Sequence, residues 1–278
     1  MHLKIVHTTG YEYGEPVTAS YNEARLTAQT QPSQFVTQVR LDVTPKPWAY
    51  SYRDHWGSQV TSFEVQEAHS SLNVVATTVV HTNPPYPFVD ALSWSDLARV
   101  SDEYAEYLMV LERARPPADL LKLLQPIRET APTPTAAVRE VCALIHREVE
   151  YVPGSTHVHA HAADAWDQRK GVCQDIAHLA IGCLRSLGIP TRYVSGYLHP
   201  NREPEVDKTV EGESHAWIEW WDGGWRGFDP TNETVPGERY VVVATGRNYD
   251  DVRPLAGVYT GGGAESHMYV TVEITRLP

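Results

Sequence analysis

The hydrophobic period of the chain changes twice along its length. From residue 1 to about 90, apolar and polar residues alternate with period two, most regularly over 35–44 and 72–80. Alternation with many β-branched residues predicts half-buried strands. Helical spacing of three and four follows as far as residue 187, and strand-like segments return from Thr191. This order of strands, helices and strands predicts an α+β protein.

The first ninety residues are expected to form an N-terminal antiparallel β sandwich or barrel. Turn-forming residues separate its strands at 14–16, 44–47 and 55–57. Prolines 84, 85 and 87 exclude regular structure and mark a boundary. We therefore predict two units, an N-terminal β domain over 1–90 and a helical linker with a catalytic core over 91–278.

Three helices are predicted between the two β regions. Apolar residues are spaced helically over 97–111 and again over 136–149. A third helix begins near Cys173, and Gly188 and Pro190 end it.

Charge and composition exclude several classes of function. The 278 residues carry a net charge of −12, whereas binding to nucleic acid or to an anionic membrane requires a basic face. No apolar run approaches the roughly 18 residues of a membrane span. Three cysteines form no disulfide framework, so a reducing, cytoplasmic location is expected. No cofactor and no metal is predicted.

Cys173 is the candidate nucleophile, because it follows Gly171-Val172 at the start of a predicted helix. A helix N-terminus favours the nucleophilic thiolate through its partial positive charge. Its backbone N–H groups can also stabilise an oxyanion. The alternative is a buried structural cysteine, a role that fits Cys142 and Cys183 better because each lies within an apolar helical stripe.

A predicted hairpin places His215 beside Asp229. If Asp222-Gly223-Gly224 is a three-residue loop with a left-handed glycine, Trp221 lies opposite Trp225. His215 and Asp229 are then diagonal neighbours on one face, about 7–8 Å apart at Cα. That separation lets the carboxylate orient the imidazole. The alternatives are a surface histidine and a turn-forming aspartate before Pro230.

These residues lie in motifs that resemble the bacterial transglutaminase-like proteins. The motifs are Gly171-Val172-Cys173-Gln174-Asp175 with His178, Gly188-Ile189-Pro190-Thr191-Arg192-Tyr193, Ser214-His215-Ala216-Trp217 and Gly227-Phe228-Asp229-Pro230. Tyr11-Glu12-Tyr13 with Pro16-Val17 resembles the β-rich domain that precedes the core in that group. The resemblance implies a papain-like core in which the helix bearing the cysteine packs on an antiparallel sheet.

The resemblance also implies a Cys173–His215–Asp229 triad that attacks an amide of a protein or peptide substrate. The acyl-enzyme would pass to water in hydrolysis or to an amine in transamidation, and the sequence leaves this choice open. Tyr151 is a candidate second oxyanion donor. No calcium-loop pattern of acidic residues is present, so the metal dependence of animal transglutaminases is not carried over.

Two other functions remain open at this point. The alternating His157, His159 and His161 would share one face of a strand, and such a cluster could serve a metal-dependent hydrolase. Solvated histidines in a loop are the simpler interpretation, because no carboxylate or cysteine partner is evident. A catalytically silent scaffold that binds protein is the second alternative.

Overall fold

The computed structural model describes residues 1–84, 91–157, 160–261, 263 and 265–278. The N-terminal strands are β1 (His2–Thr27), β2 (Gln34–Thr44), β3 (Trp48–Arg53), β4 (Gln59–Val65) and β5 (His69–Thr82). The central elements are α1 (Trp94–Arg99), α2 (Ala118–Thr130), α3 (Pro134–Glu148), β6 (Glu150–Tyr151), α4 (Ala162–Gln168), β7 (Lys170–Gly171) and α5 (Cys173–Ser186). The C-terminal elements are β8 (Thr191–Leu198), β9 (Thr209–Trp221), β10 (Trp225–Phe228), β11 (Tyr240–Gly246), α6 (Tyr249–Val252), β12 (Leu255–Gly261) and β13 (Ser266–Arg276).

The N-terminal β region is organised around the long strand β1. Its first half pairs with β5 and β13, and its second half pairs with β4 and β12. Apolar side chains from both halves, including Tyr13 and Leu26, share one buried cluster with Phe63 and Leu72. The curled antiparallel sheet around this core confirms the predicted antiparallel β fold of the N-terminal region.

The second core lies between α5 and the sheet formed by β8, β9, β10 and β11. Strand β9 is the centre of this sheet, because β8 and β10 both pair with it in antiparallel orientation. Ile176, Ala180 and Leu184 of α5 lie in the same buried cluster as Ile218 and Trp220 of β9. The predicted packing of the cysteine-bearing helix on an antiparallel sheet is therefore confirmed.

The two β regions are continuous through the C-terminal strand. β13 pairs with β1 on one side and with β9 on the other. The C-terminal strands β12 and β13 thus add to the N-terminal sheet, although they are distant from β1 in sequence. The division into 1–90 and 91–278 stays a prediction, and the proline-rich boundary falls partly on 85–90, outside the described residues.

The helix expected over 97–111 is broken in the structure. After α1, the segment contains only a short 3₁₀ turn at Ala105–Tyr107, and a second such turn follows it at Glu112–Ala114. Tyr104 stacks on Trp221 at 4.3 Å, and Tyr107 meets Trp225 edge-on at 4.8 Å. These contacts anchor the segment to the hairpin, so tertiary packing overrides its helical periodicity.

Among the described residues, no helix is long and apolar enough to cross a membrane.

Candidate active site

Cys173 is the first residue of α5 and is partly buried. The carboxylate of Asp175 caps this helix, because it accepts a hydrogen bond from the Val172 N–H at 2.9 Å. The same carboxylate also accepts from the Thr156 hydroxyl. Gly171 permits the close approach of the flanking elements. A Cβ at this position would lie 3.0 Å from the Asp175 Cβ and 3.1 Å from the Ala165 Cβ.

The hairpin of β9 and β10 has the register predicted from the sequence. Trp221 lies opposite Trp225, and Gly223 in the loop has a left-handed φ of 72°. His215 and Asp229 consequently share a face, and the His215 Nε2–H donates to Asp229 Oδ2 at 2.7 Å. The predicted contact between imidazole and carboxylate is therefore present in the structure.

The carboxylate of Asp229 is fully buried and accepts several hydrogen bonds. Its Oδ1 accepts from the backbone N–H groups of Thr231 and Asn232. Its Oδ2 accepts from the Asn232 side-chain amide and the Tyr240 hydroxyl, each at 2.7 Å. Burial alone would raise the pKa of Asp229, but hydrogen bonds from His215, Asn232 and Tyr240 outweigh it and hold the pKa below its usual value. Asp229 is thus held as a carboxylate.

His215 contacts both Asp229 and Cys173. Burial lowers the pKa of His215, but hydrogen bonds to Asp229 and to Cys173 more than offset this effect and raise the pKa to about 10. The Trp217 ring lies 6.1 Å from the imidazole at an interplanar angle of 26°. Because Asp229 occupies Nε2, Nδ1 is the ring nitrogen that remains for the thiol.

The structure brings together the three residues that the sequence singled out. It also adds Asn232 and Tyr240, to which the sequence analysis assigned no role. Asn232 lies three residues after Asp229, a spacing at which a side chain can turn back to a carboxylate. Tyr240 comes from β11, and its contact with Asp229 depends on how that strand is placed.

Tyr151 lies near the candidate nucleophile. Burial, the nearby Cys173 and a hydrogen bond to Glu213 raise the pKa of Tyr151 to about 12. The side chain is 41% exposed. Tyr151 thus remains protonated close to Cys173, but its single O–H proton is donated to Glu213, so its role at the oxyanion stays a prediction.

The histidine segment forms no metal site in the part of the chain that is described. Within those residues, no group of three His, Cys, Asp or Glu side chains could hold a metal ion. His159 lies outside the described residues. His161 precedes α4, and its backbone N–H donates to Asp164.

Cys142 and Cys183 are buried and free. Burial raises the pKa of both thiols, which disfavours their nucleophilic thiolate forms. Cys173 is therefore the cysteine whose position suits nucleophilic chemistry.

Two stretches of the chain match known family models. Residues 121–230 match the transglutaminase-like superfamily, and residues 3–81 match the bacterial transglutaminase-like N-terminal region. The first match contains Cys173, His215 and Asp229.

Individual proteins show the same similarity. An uncharacterized protein of Mycobacterium leprae is 43% identical over 277 residues, which cover 99% of each chain. Protein-glutamine gamma-glutamyltransferase of Pseudomonas aeruginosa is 35% identical over 75 residues, or 26% of this chain and 11% of that protein. The crystal structure of a candidate cysteine protease from Cytophaga hutchinsonii has a TM-score of 0.78 at 23% identity, covers 100% of this chain and 91% of that one, and shares its fold.

Proposed function

The chain belongs to the transglutaminase-like superfamily, and we propose that it is an enzyme in which the Cys173 thiolate attacks a peptide or side-chain amide. The observation that supports this proposal best is the position of His215 between two partners. Its imidazole contacts Cys173 and donates to Asp229 at 2.7 Å. A thiol, a base and a carboxylate in this order are the parts required for nucleophilic catalysis.

The proposed reaction begins with the proton on His215 and the sulfur of Cys173 as thiolate. The sulfur attacks the carbonyl carbon, and the electron pair of the C=O bond moves to the oxygen. Backbone N–H groups at the N-terminus of α5 stabilise this oxyanion. His215 then protonates the amine as the C–N bond breaks, which leaves a thioester on Cys173. Asp229 keeps the imidazole in one orientation throughout.

The second half of the reaction returns the proton to His215. A water molecule or an amine attacks the thioester carbonyl, and His215 takes the proton of the nucleophile as the C–S bond breaks. Water gives hydrolysis, as in a protease or amidase, and this is the first candidate. An amine gives transamidation. The partial similarity to a protein-glutamine gamma-glutamyltransferase favours the second candidate.

A cytoplasmic location is part of the proposal. It is supported by three cysteines that are all free, including the two that lie in the core. A reducing compartment preserves a free catalytic thiol.

The proposal is tested by alkylation with iodoacetamide as a function of pH, with the labelled cysteine located by mass spectrometry. We expect Cys173 of the wild type to react faster than free glutathione at pH 6–7. His215→Ala should slow this reaction, because it removes the partner that stabilises the thiolate. The matched control is His146→Ala, which removes an exposed histidine of α3 and should label like the wild type.

Turnover is then assayed on peptides, with and without an added primary amine. Loss of the base in His215→Ala should reduce the rate about 10²–10⁴-fold. New peptide termini identify hydrolysis, whereas an incorporated amine identifies transamidation. If Cys173 reacts like glutathione and His215→Ala matches the wild type, the triad assignment fails and the chain is better regarded as a binding scaffold.

A further inference from the structure

A cavity lies behind the His215–Asp229 pair, on the side of the core sheet that faces the N-terminal β region. Its volume is about 430 Å³, within the usual range of about 300–1,000 Å³ for ligand sites. Trp217, Glu219 and Tyr240 of the core sheet line it, together with Ser33 and Asn83 of the N-terminal region. Ligand sites commonly occur at such junctions between domains.

The walls of the cavity are mainly apolar and aromatic. Trp217, Trp225 and Tyr240 line it, and Val235 and Pro236 add aliphatic surface. Rings of this size favour a flat or branched apolar group as occupant. An aromatic or branched side chain is therefore the apolar group that fits this cavity.

Two of the three charged side chains that line the cavity, Arg192 and Glu219, neutralise each other. The Arg192 Nε–H donates to Glu219 Oε2 at 2.7 Å, and the guanidinium lies over the Trp225 ring at 4.2 Å from its centroid. An ionic ligand would have to compete with this ion pair. An amide group would not have to compete with the ion pair, because its carbonyl oxygen can accept a hydrogen bond from Arg192 while its N–H donates to Glu219.

Arg226 gives a further reason to expect a carbonyl acceptor. It also lines the cavity, and its buried Nε has no hydrogen-bond partner among the described residues. The Nε itself is shielded from a ligand, and the terminal guanidinium nitrogens are the donors from which a carbonyl oxygen of a ligand can accept. A polypeptide supplies several carbonyl oxygens beside each side chain and can satisfy more than one arginine.

We propose that this cavity binds an apolar residue of a polypeptide through its side chain and its adjacent amide groups. The inference rests on the proposed function. It deepens that function by giving a peptide substrate a second contact with the protein, away from Cys173. The occupant would lie against Trp217, which stacks on His215, and against Tyr240, which donates to Asp229. Binding of the peptide residue is thereby coupled to the orientation of the His215 imidazole.

The test is a binding experiment on the full-length Cys173→Ala variant, which prevents turnover. The chain contains eight tryptophans, and ¹⁵N-tryptophan labelling gives each an indole N–H signal. Trp217→Phe and Trp225→Phe assign the two signals of the cavity. The probe is acetyl-Ala-Phe-Ala-amide. The control peptide is acetyl-Ala-Ser-Ala-amide, in which the polar serine replaces phenylalanine.

We expect the phenylalanine peptide to shift both cavity signals saturably. It should bind at least about tenfold more tightly than the serine peptide, because only the phenylalanine side chain buries a ring. Gly224 lines the cavity, and a Cβ at this position meets no atom within 4 Å. Gly224→Phe should therefore fill the space and weaken binding at least about tenfold, whereas Gly224→Ser should leave it nearly unchanged.

Three results would overturn the proposal: no saturable shift at the cavity tryptophans, equal affinity for both peptides, or full affinity in Gly224→Phe. Val235→Phe fills the cavity from its other wall and replaces Gly224→Phe if that variant does not fold. If acetyl-phenylalanine as the free acid binds about tenfold more tightly than its amide, the cavity is instead a site for organic anions. Failure here leaves the Cys173 alkylation result untouched, so the two proposals are refuted separately.

Discussion

Two buried histidines are expected to make the protein acid-sensitive. Burial lowers the pKa of His7 to about 4. For His178, burial and the nearby Arg113, Arg185 and His161 lower the pKa to about 3. Both shifts start from the ordinary histidine value of 6.5. Both histidines are therefore neutral in the folded protein at pH 5.

Burial is the main reason why His178 resists protonation, and its hydrogen bonding acts in the same direction. Its Nε2 accepts the Tyr249 backbone N–H at 3.1 Å. The proton of the neutral ring is consequently on Nδ1, which is buried and has no partner among the described residues. A second proton on Nε2 would break the bond to Tyr249 and place an unpaired charge in the core.

The sign of the pH effect follows from which state binds more protons. Above pH 6.5 both histidines are mainly neutral in the folded and unfolded chains. Below that pH the unfolded chain takes up a proton at each histidine and the folded protein does not. The free energy of unfolding therefore falls as the pH falls. Between pH 7 and pH 5 each histidine should remove about 2 kcal/mol.

The assay is urea unfolding at pH 7 and at pH 5, followed by tryptophan fluorescence. His7→Gln and His178→Gln should each lose about 2 kcal/mol less than the wild type over this interval. His146→Gln serves as the exposed control and should keep the wild-type pH dependence. The reasoning is refuted if the wild type and both buried variants lose the same free energy between the two pH values.

Three further substitution or labelling experiments follow from the structure. Tyr240→Phe removes one donor to the buried carboxylate of Asp229 and should lower the free energy of unfolding by about 1–3 kcal/mol; an unchanged urea midpoint would contradict this. Cys142 and Cys183 should remain unlabelled by iodoacetamide at pH 8 in the native protein and react fully in urea, because burial raises the pKa of both. Asp175→Ala leaves the Val172 N–H and the Thr156 hydroxyl without their acceptor and should cost about 1–3 kcal/mol in urea unfolding, while Asp175→Asn should recover part of that loss.

The features predicted best from the sequence are those that depend on local interactions. Helix α5 begins at Cys173 and ends before the left-handed Gly188, as its apolar stripe and cap residues indicate. Strand β8 begins at Thr191, where the strand-like pattern was predicted to return. The hairpin register was predictable because a short glycine loop determines which residues lie opposite one another.

The features that escaped prediction depend on distant partners. The C-terminal strands β12 and β13 pair with β1, and nothing in their alternation identifies that partner. The 97–111 segment has helical spacing, yet Tyr104 and Tyr107 pack on the tryptophans of the hairpin. Tyr240 reaches Asp229 only because β11 pairs with β8. The residue pattern within one segment cannot identify the distant segment that it contacts.

The candidate site combines both kinds of determinant. The His215–Asp229 contact is local, because one added residue in the hairpin loop would place the two side chains on opposite faces. The Cys173–His215 contact is not local, because it requires α5 to dock on β9. That docking depends on the large apolar face of α5, whose Ile176, Ala180 and Leu184 share a buried cluster with Ile218 and Trp220 of β9. A mutation in the loop should therefore separate the base from its carboxylate, whereas a mutation behind α5 should separate the thiol from an intact pair.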